Sequence, residues 1–297
     1  RALLFSLKQN PLQRMTACLV SPGKSHARGS EEIPLLESTI YAKFHAQASC
    51  QKQRTALVVH SAGLKLSFTE LLGRVDMAAN GLASLDLLKG DRLGIWMQNC
   101  SEWLEMQIAT AKLGVILVNI NPDYRLPELE YALNLVTCKV LVMAPRTAHA
   151  NYVEMMQALC PELTHGAKSL TSKRVPSLRH VVVTEGGASA GMISLDSLYM
   201  AGERAEAAAS CYEPINIQFT SGTTGKPKAS TLTHRGILNN GYFLGKTMHY
   251  TADDIVCVPV PLYHCFGCVM GNMAMVSFGC TLIYPASKFD PYVTLQA

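Results

Sequence analysis

Apolar residues along this chain fall into two alternating patterns. Short apolar runs at residues 56–60, 92–97, 115–119, 140–143, 180–184 and 215–219 are rich in Val, Ile and Leu and too short for helices, which predicts buried strands. Between the first two, Leu71, Leu72, Val75, Ala78, Ala79, Leu82 and Leu85 recur at helical spacing, and Ser67 with Glu70 forms an S-x-x-E start signal. Ser101 is placed to cap the next helix, which runs to Gly114, and Pro127 is placed to open a third helix carrying Tyr131 and Leu135. Strand and helix in this alternation predict an α/β fold with parallel sheets flanked by helices, and such sheets receive ligands at the carboxyl ends of their strands. Residues 164–179 and 186–191 read as surface loops.

One apolar stretch needs separate treatment. No Asp, Glu, Lys or Arg occurs between Asp254 and Lys288, and residues 265–283 approach the length of a membrane span. Asn272, several glycines and a strand-like Val/Pro segment upstream favour a buried helix followed by a buried strand, so no transmembrane span is expected.

Charge changes the picture only at one end. The net charge is +4, of which residues 1–30 supply +5 through Arg1, Lys8, Arg14, Lys24 and Arg28 without any acid, leaving the remainder at −1. A basic leader attached to a near-neutral body does not make a phosphate-contacting face, so nucleic acid is not expected as a partner. The leader is also rich in Ser, Leu and Ala, the composition of a mitochondrial transit peptide or of an ordinary polar tail. We therefore divide the chain into a leader at 1–30 and a partial N-terminal domain at 31–297. Ten scattered cysteines fit free thiols in a reducing compartment. Cys265 and Cys268 make a single CxxC without the second pair of a zinc site, so no metal site is assigned. Asn99-Cys100-Ser101 is formally a glycosylation sequon.

Chemistry concentrates in one segment. Thr220-Ser221-Gly222-Thr223-Thr224-Gly225-Lys226-Pro227-Lys228 follows a strand and packs four hydroxyls, two glycines and two lysines into nine residues. Glycines let backbone N–H groups close around an anion, hydroxyls add donors, and lysines add charge. A polyphosphate suits that set, although a solvated polar hairpin would use the same residue types. It is not a Walker P-loop, because only two residues separate Gly222 from Gly225 and Pro227 opposes an immediate helix.

The string closely resembles the signature of the adenylate-forming superfamily, which includes acyl-CoA synthetases, aryl-CoA ligases, luciferases and peptide-synthetase adenylation domains. Residues 67–71, 90–97 and 111–122 are similar to earlier family segments, and Pro261-Leu262-Tyr263-His264 with Gly267 resembles the acid-pocket motif. Residues 119–134 together with the leader most resemble mitochondrial, medium-chain members of the acyl-CoA synthetase branch, which implies a matrix location. The resemblance implies the N-terminal part of the family's large domain without the smaller C-terminal domain.

It also implies a two-step reaction with ATP, Mg²⁺ and coenzyme A, in which a fatty acid becomes an acyl-adenylate and then a thioester. On that basis Thr220, Ser221, Thr223 and Thr224 would bond phosphate, Gly222 and Gly225 would shape the loop, and Pro227 would belong to it. Lys228 would supply charge, Lys226 sits at a variable and more solvated position, and His264 would stand beside the reacting carboxylate. Without the resemblance, His264 also reads as a satisfied core histidine and Tyr263 as pocket wall or core. Met270, Met273 and Met275 read as adaptable packing. Ala229 stands where the family usually has Gly, at a cost of about 1 kcal/mol if the site needs positive φ. His234 is followed by Arg235-Gly236 where relatives often have Asn. The alternative function is a non-catalytic remnant that binds ATP weakly or acts through protein contacts.

Overall fold

The computed structural model describes residues 19–20, 27–28, 32–166, 169–185, 190–202, 205, 210–221 and 227–297. Two short strands, β1 (Leu19–Val20) and β2 (Ala27–Arg28), pair with each other. The body carries β3 (Thr55–Val59), β4 (Leu64–Ser67), β5 (Arg92–Trp96), β6 (Ile116–Asn119), β7 (Val140–Met143), β8 (His180–Val183) and β9 (Ile193–Ser194). After these come β10 (Pro214–Thr220), β11 (Lys228–Thr233), β12 (Ile255–Cys257) and β13 (Thr281–Tyr284). The helices are α1 (Ile40–Gln51), α2 (Phe68–Ala83), α3 (Ser101–Leu113), α4 (Leu126–Leu135), α5 (Tyr152–Leu159), α6 (Leu195–Tyr199), α7 (His234–Thr247), α8 (Asn272–Phe278) and α9 (Pro291–Gln296). All six expected strands form, each within a residue or so of its expected ends.

The larger sheet has the order β11-β10-β6-β5-β7-β8-β9, parallel from β10 to β9, with β11 antiparallel at the edge. The smaller sheet runs β12-β13-β3-β4, with β4 antiparallel. Alternation along each strand of the larger sheet builds two cores. Leu93, Ile95 and Leu117 join α1, α2, α3 and α8 and the smaller sheet in one cluster, so these helices lie between the sheets. Trp96, Val118, Leu141 and Ile217 face the other way and pack with α4 and α5, where Trp96 stacks on Tyr152. On the smaller sheet the row Cys257–Ile283–Val58–Lys65 is exposed or half-buried.

Local rules account for most ends. Ser67 and Glu70 form the expected reciprocal cap on α2. Gly114 ends α3 at φ 71°, a left-handed conformation open to glycine. Ser101 does not cap α3 but is its first residue; extended Cys100 holds the cap position, and the Ser101 hydroxyl bonds Glu102 Oε2. α3 is buried at nearly every position, because it lies between other helices and both sheets. Its charged residues are therefore paired: Glu105 with Arg74 at 3.3 Å and with the Tyr199 hydroxyl, and Lys112 with Asp76 at 2.9 Å. Burial raises the Glu105 carboxyl above its usual range.

The loop at 164–179 is not purely a surface segment, since Leu170, Val175 and Leu178 anchor it in the outer core. Residues 186–189 of the second expected loop lie outside the described residues. The stretch from 265 to 283 is, as expected, a buried helix and then a strand. Among the described residues no helix is long and apolar enough to cross a membrane.

Candidate active site

β10 delivers the hydroxyl-rich segment at its carboxyl end and β11 carries the chain back, with Thr220 opposite Lys228. The segment is thus a hairpin connection rather than a strand-to-helix turn, as Pro227 requires. Thr220, Ser221 and Lys228 are exposed, and Pro227 is half-buried with its carbonyl accepting from the Tyr131 hydroxyl at 3.4 Å. Gly222, Thr223, Thr224, Gly225 and Lys226 lie outside the described residues. Ala229 pairs with Phe219 inside the ladder and is not among the described residues with positive φ, so the expected penalty for replacing Gly does not arise.

The second expected element meets the first from across the molecule. After β12 the chain turns through Pro261–His264 into a π-helical turn, Phe266–Gly271, that leads into α8. The His264 carbonyl accepts from the backbone N–H groups of Gly267 at 3.0 Å and Cys268 at 3.2 Å. His264 is exposed, which removes the core-histidine reading, and its Nδ1 accepts from the Phe266 N–H at 3.2 Å. Occupation of Nδ1 as acceptor leaves Nε2 as the protonated nitrogen of the neutral ring. A Cβ at Gly267 would lie 2.4 Å from the Pro261 carbonyl oxygen, so this turn closes only around glycine. Tyr263 is half-buried and lines a cavity; Met273 and Met275 are core, whereas Met270 sits at a pocket rim.

What joins the two elements was missed by sequence reasoning. Asn119 at the end of β6 donates its amide to the Tyr263 carbonyl at 3.2 Å, and Gln218 of β10 donates to Cys268 Sγ at 3.4 Å. Asn99, the sequon residue, is buried; it donates to the Val260 carbonyl at 2.9 Å and accepts from the Leu262 N–H at 2.8 Å. Its role is to tie the His264 segment to the end of β5. The available signal was an amide interrupting otherwise apolar strands, as in Asn119, Asn216 and Gln218.

Three cavities surround this junction. One of about 220 Å³ is lined by Leu232, Ile237, Asn240, Cys265, Val269 and Met270, mostly apolar, between α7 and the π-helical turn. A second of about 270 Å³ includes Tyr263, Asp123 and Lys288. The third, about 430 Å³, lies at the carboxyl ends of β5, β7 and β8 and includes Arg146, Glu102 and Glu185. The last two share Gln98, Asn99 and Ser287 and so form adjoining chambers. Among the described residues no cluster of three or more His, Cys, Asp or Glu side chains is arranged to hold a metal ion. Of the CxxC pair, Cys265 is exposed and Cys268 is buried, both as free thiols.

Beneath the hairpin, His234 opens α7 with Thr233 as its cap. Its ring is fully buried, Nδ1 accepts from the Ile40 N–H at 3.3 Å, and Nε2 has no partner among the described residues. Burial pushes its pKa down to about 4. Of the Arg235-Gly236 pair, Arg235 is taken up by Glu37 at 2.8 Å, whereas Gly236 lines the 220 Å³ cavity.

The fold is that of the large domain of adenylate-forming enzymes. The chain superposes on an anthranilate CoA ligase in complex with anthranoyl-AMP with TM-score 0.73 and 20% identity, covering 85% of this chain and 46% of that one. It superposes on a long-chain-fatty-acid-CoA ligase (FadD1) of Archaeoglobus fulgidus with TM-score 0.74 and 19% identity, covering 89% and 50%.

Residues 44–297 match the model of the family described as AMP-binding enzyme, and the chain belongs to that family. It is 40% identical to the mitochondrial medium-chain acyl-CoA ligase ACSF2 of Danio rerio over 284 residues, which is 92% of this chain and 47% of that protein. The corresponding Homo sapiens protein is 37% identical over 305 residues, 98% of this chain and 49% of its own length. The chain thus spans about half the length of the curated relatives it matches.

Proposed function

We propose that this chain is the nucleotide- and acid-binding part of an acyl-CoA ligase that activates a medium-chain fatty acid with ATP. The observation that carries the reading is the hydrogen-bonded junction between β10, which leads into the Thr220–Lys228 loop, and the turn bearing His264. A loop suited to phosphate beside a histidine and an apolar cavity is what carboxylate activation needs.

In the proposed reaction a carboxylate oxygen attacks the α-phosphorus of ATP, the bond to the β-phosphate oxygen breaks, and pyrophosphate leaves. The thiolate of coenzyme A then attacks the acyl carbon and releases AMP, a far better leaving group than oxide. Thr220, Ser221, Thr223 and Thr224 donate to phosphate oxygens, Gly222 and Gly225 shape the loop with Pro227, and Lys228 offsets charge growing on the phosphoryl oxygens. Lys226 contributes charge from a more solvated position. Mg²⁺, which spreads the phosphate charge, would be held mainly by the nucleotide, with the loop hydroxyls as its nearest protein ligands.

His264 directly precedes Cys265, which lines the 220 Å³ cavity, and with Nδ1 occupied by the Phe266 N–H its Nε2–H would donate to the reacting carboxylate. The adjoining 270 and 430 Å³ chambers offer coenzyme A an approach from the strand ends. A matrix location is proposed from the mitochondrial names of the relatives and the acid-free leader; import of a leader-bearing fluorescent fusion tests it.

Carboxylate-dependent exchange between ATP and labelled pyrophosphate, with a panel of short to long fatty acids, tests the function. Exchange peaking with medium chains is expected. A folded protein that binds ATP without exchange, both as this chain and extended to the length of its relatives, moves the reading to a non-catalytic binder.

A further inference from the structure

We propose that Cys268 is a positioning residue that holds the phosphate-loop strand and the His264 turn in one register. Its side chain is 1% exposed and meets both halves of the candidate site. Sγ accepts from the amide of Gln218, two residues before Thr220 on β10, and from the amide of Asn119 at the end of β6, each at 3.4 Å. Its N–H donates to the His264 carbonyl at 3.2 Å, closing the turn that carries His264.

The same residue is tied to the second sheet. Its carbonyl accepts from Gln107 Nε2 at 3.1 Å, Gln107 Oε1 accepts from Asn272 Nδ2 at 2.7 Å, and Asn272 Oδ1 accepts from the Tyr284 hydroxyl on β13 at 2.7 Å. Asn119 extends the set sideways by accepting from Asn216 Nδ2 at 2.8 Å. Three buried amides, Asn119, Gln218 and Gln107, thus reach the turn directly, and Asn216, Asn272 and Tyr284 brace them from β10, α8 and β13.

A network of this kind is costly to bury and gains little over apolar packing for stability alone. Its value lies in fixing one arrangement. Sulfur suits the hub because its size lets two amides approach from different strands without crowding. Burial pushes the thiol up to about 12, so it stays neutral at physiological pH and adds no charge to the network. Gln218 lies two residues from the loop and His264 four residues from the hub, so a shift at either end reaches the other through a single atom. The functional side of this inference rests on the proposed binding of Mg-ATP at the Thr220–Lys228 loop.

Hydrogen exchange read by mass spectrometry on the whole chain tests it, comparing wild type, Cys268→Ala and Cys268→Ser with and without Mg-ATP. Without nucleotide, Cys268→Ala is expected to raise exchange at 260–271 and at 214–221 together, by about tenfold for the loss of two neutral hydrogen bonds. Residues 140–143 and 180–183 stay unchanged, and Cys268→Ser, which keeps an acceptor, returns both segments to within about threefold of wild type. With Mg-ATP, protection spreads to 260–271 in wild type and Cys268→Ser but not in Cys268→Ala.

An increase confined to 260–271, one spread evenly over the chain, or protection of 260–271 by nucleotide in Cys268→Ala as in wild type would each overturn the proposal. If Mg-ATP protects nothing in wild type, the nucleotide site is what fails, and the ligand-free comparison still decides the link.

Discussion

The hairpin β10–β11 and the turn from His264 to Gly271 meet at the same place but are held by different forces. The hairpin is a backbone ladder whose proposed phosphate-binding residues Thr220, Ser221 and Lys228 stand exposed at its loop end. The turn is fixed from beneath by side-chain amides of Asn99, Asn119 and Gln218 and by a glycine with no room for a Cβ. The contrast teaches that one region can lose function without losing stability, whereas the other cannot. Substitutions can break or sharpen that distinction.

The largest effect is expected at Gly267. Gly267→Val forces a side chain onto the Pro261 carbonyl and should destabilise the chain by about 3 kcal/mol or more in denaturant melts. A loss under about 1 kcal/mol would mean the turn is looser than its geometry indicates.

A comparable effect should come from pH through His234, which lies under the hairpin but is held like the turn. Its folded pKa of about 4 is below the ordinary 6.5, so the unfolded chain binds the extra proton between those values. The contribution of the neutral ring is therefore complete above pH 6.5 and is lost as pH falls toward 4, by about 3 kcal/mol at 1.36 kcal/mol per unit. Stability of His234→Gln measured across the same window should lose most of this slope. An unchanged slope would assign it to other groups.

Asn99→Ala comes next. It leaves the Val260 carbonyl and Leu262 N–H unpaired in the interior and should cost about 2 kcal/mol. Asn99→Asp should recover part of it by still accepting from Leu262. Met270→Trp, at the rim of the 220 Å³ cavity, should move acid preference toward shorter chains with stability changed by less than about 1 kcal/mol. An unaltered chain-length profile would remove that cavity from the acid site.

The same contrast explains what was legible in the sequence. Strands 92–96, 116–119 and 140–143 showed themselves because a buried parallel strand needs an unbroken apolar run. The segment at 220–228 stood out because its exact string resembles a family signature, since glycine, hydroxyl and lysine by themselves would suit a solvated hairpin as well as an anion site. Asn119 was marked only as an amide in an apolar run, and Asn99 and Cys268 stayed hidden, because nothing local marks a side chain whose partner is 161 or 149 residues away. Ser101 misled for a related reason: the cap position is set by how the chain leaves β5, which residue type alone does not encode. Ala229 was judged against a glycine pattern, and only its place in the β10–β11 ladder showed that extended backbone suffices there.

The smallest stability effect belongs to the tip of the hairpin, and the most direct test of the account lies there. Lys228→Ala should change folding stability by less than about 0.5 kcal/mol, since the side chain is exposed. The decisive measurement is single-turnover kinetics of the two proposed half-reactions in the chain extended to the length of its relatives. Lys228→Ala should slow adenylate formation by about a hundredfold, the usual cost of removing a donor to developing charge. Transfer from acyl-adenylate to coenzyme A, after pyrophosphate has left, should stay within about threefold. Equal losses in both half-reactions, or none in the first, would contradict a phosphate-binding role for the Thr220–Lys228 loop.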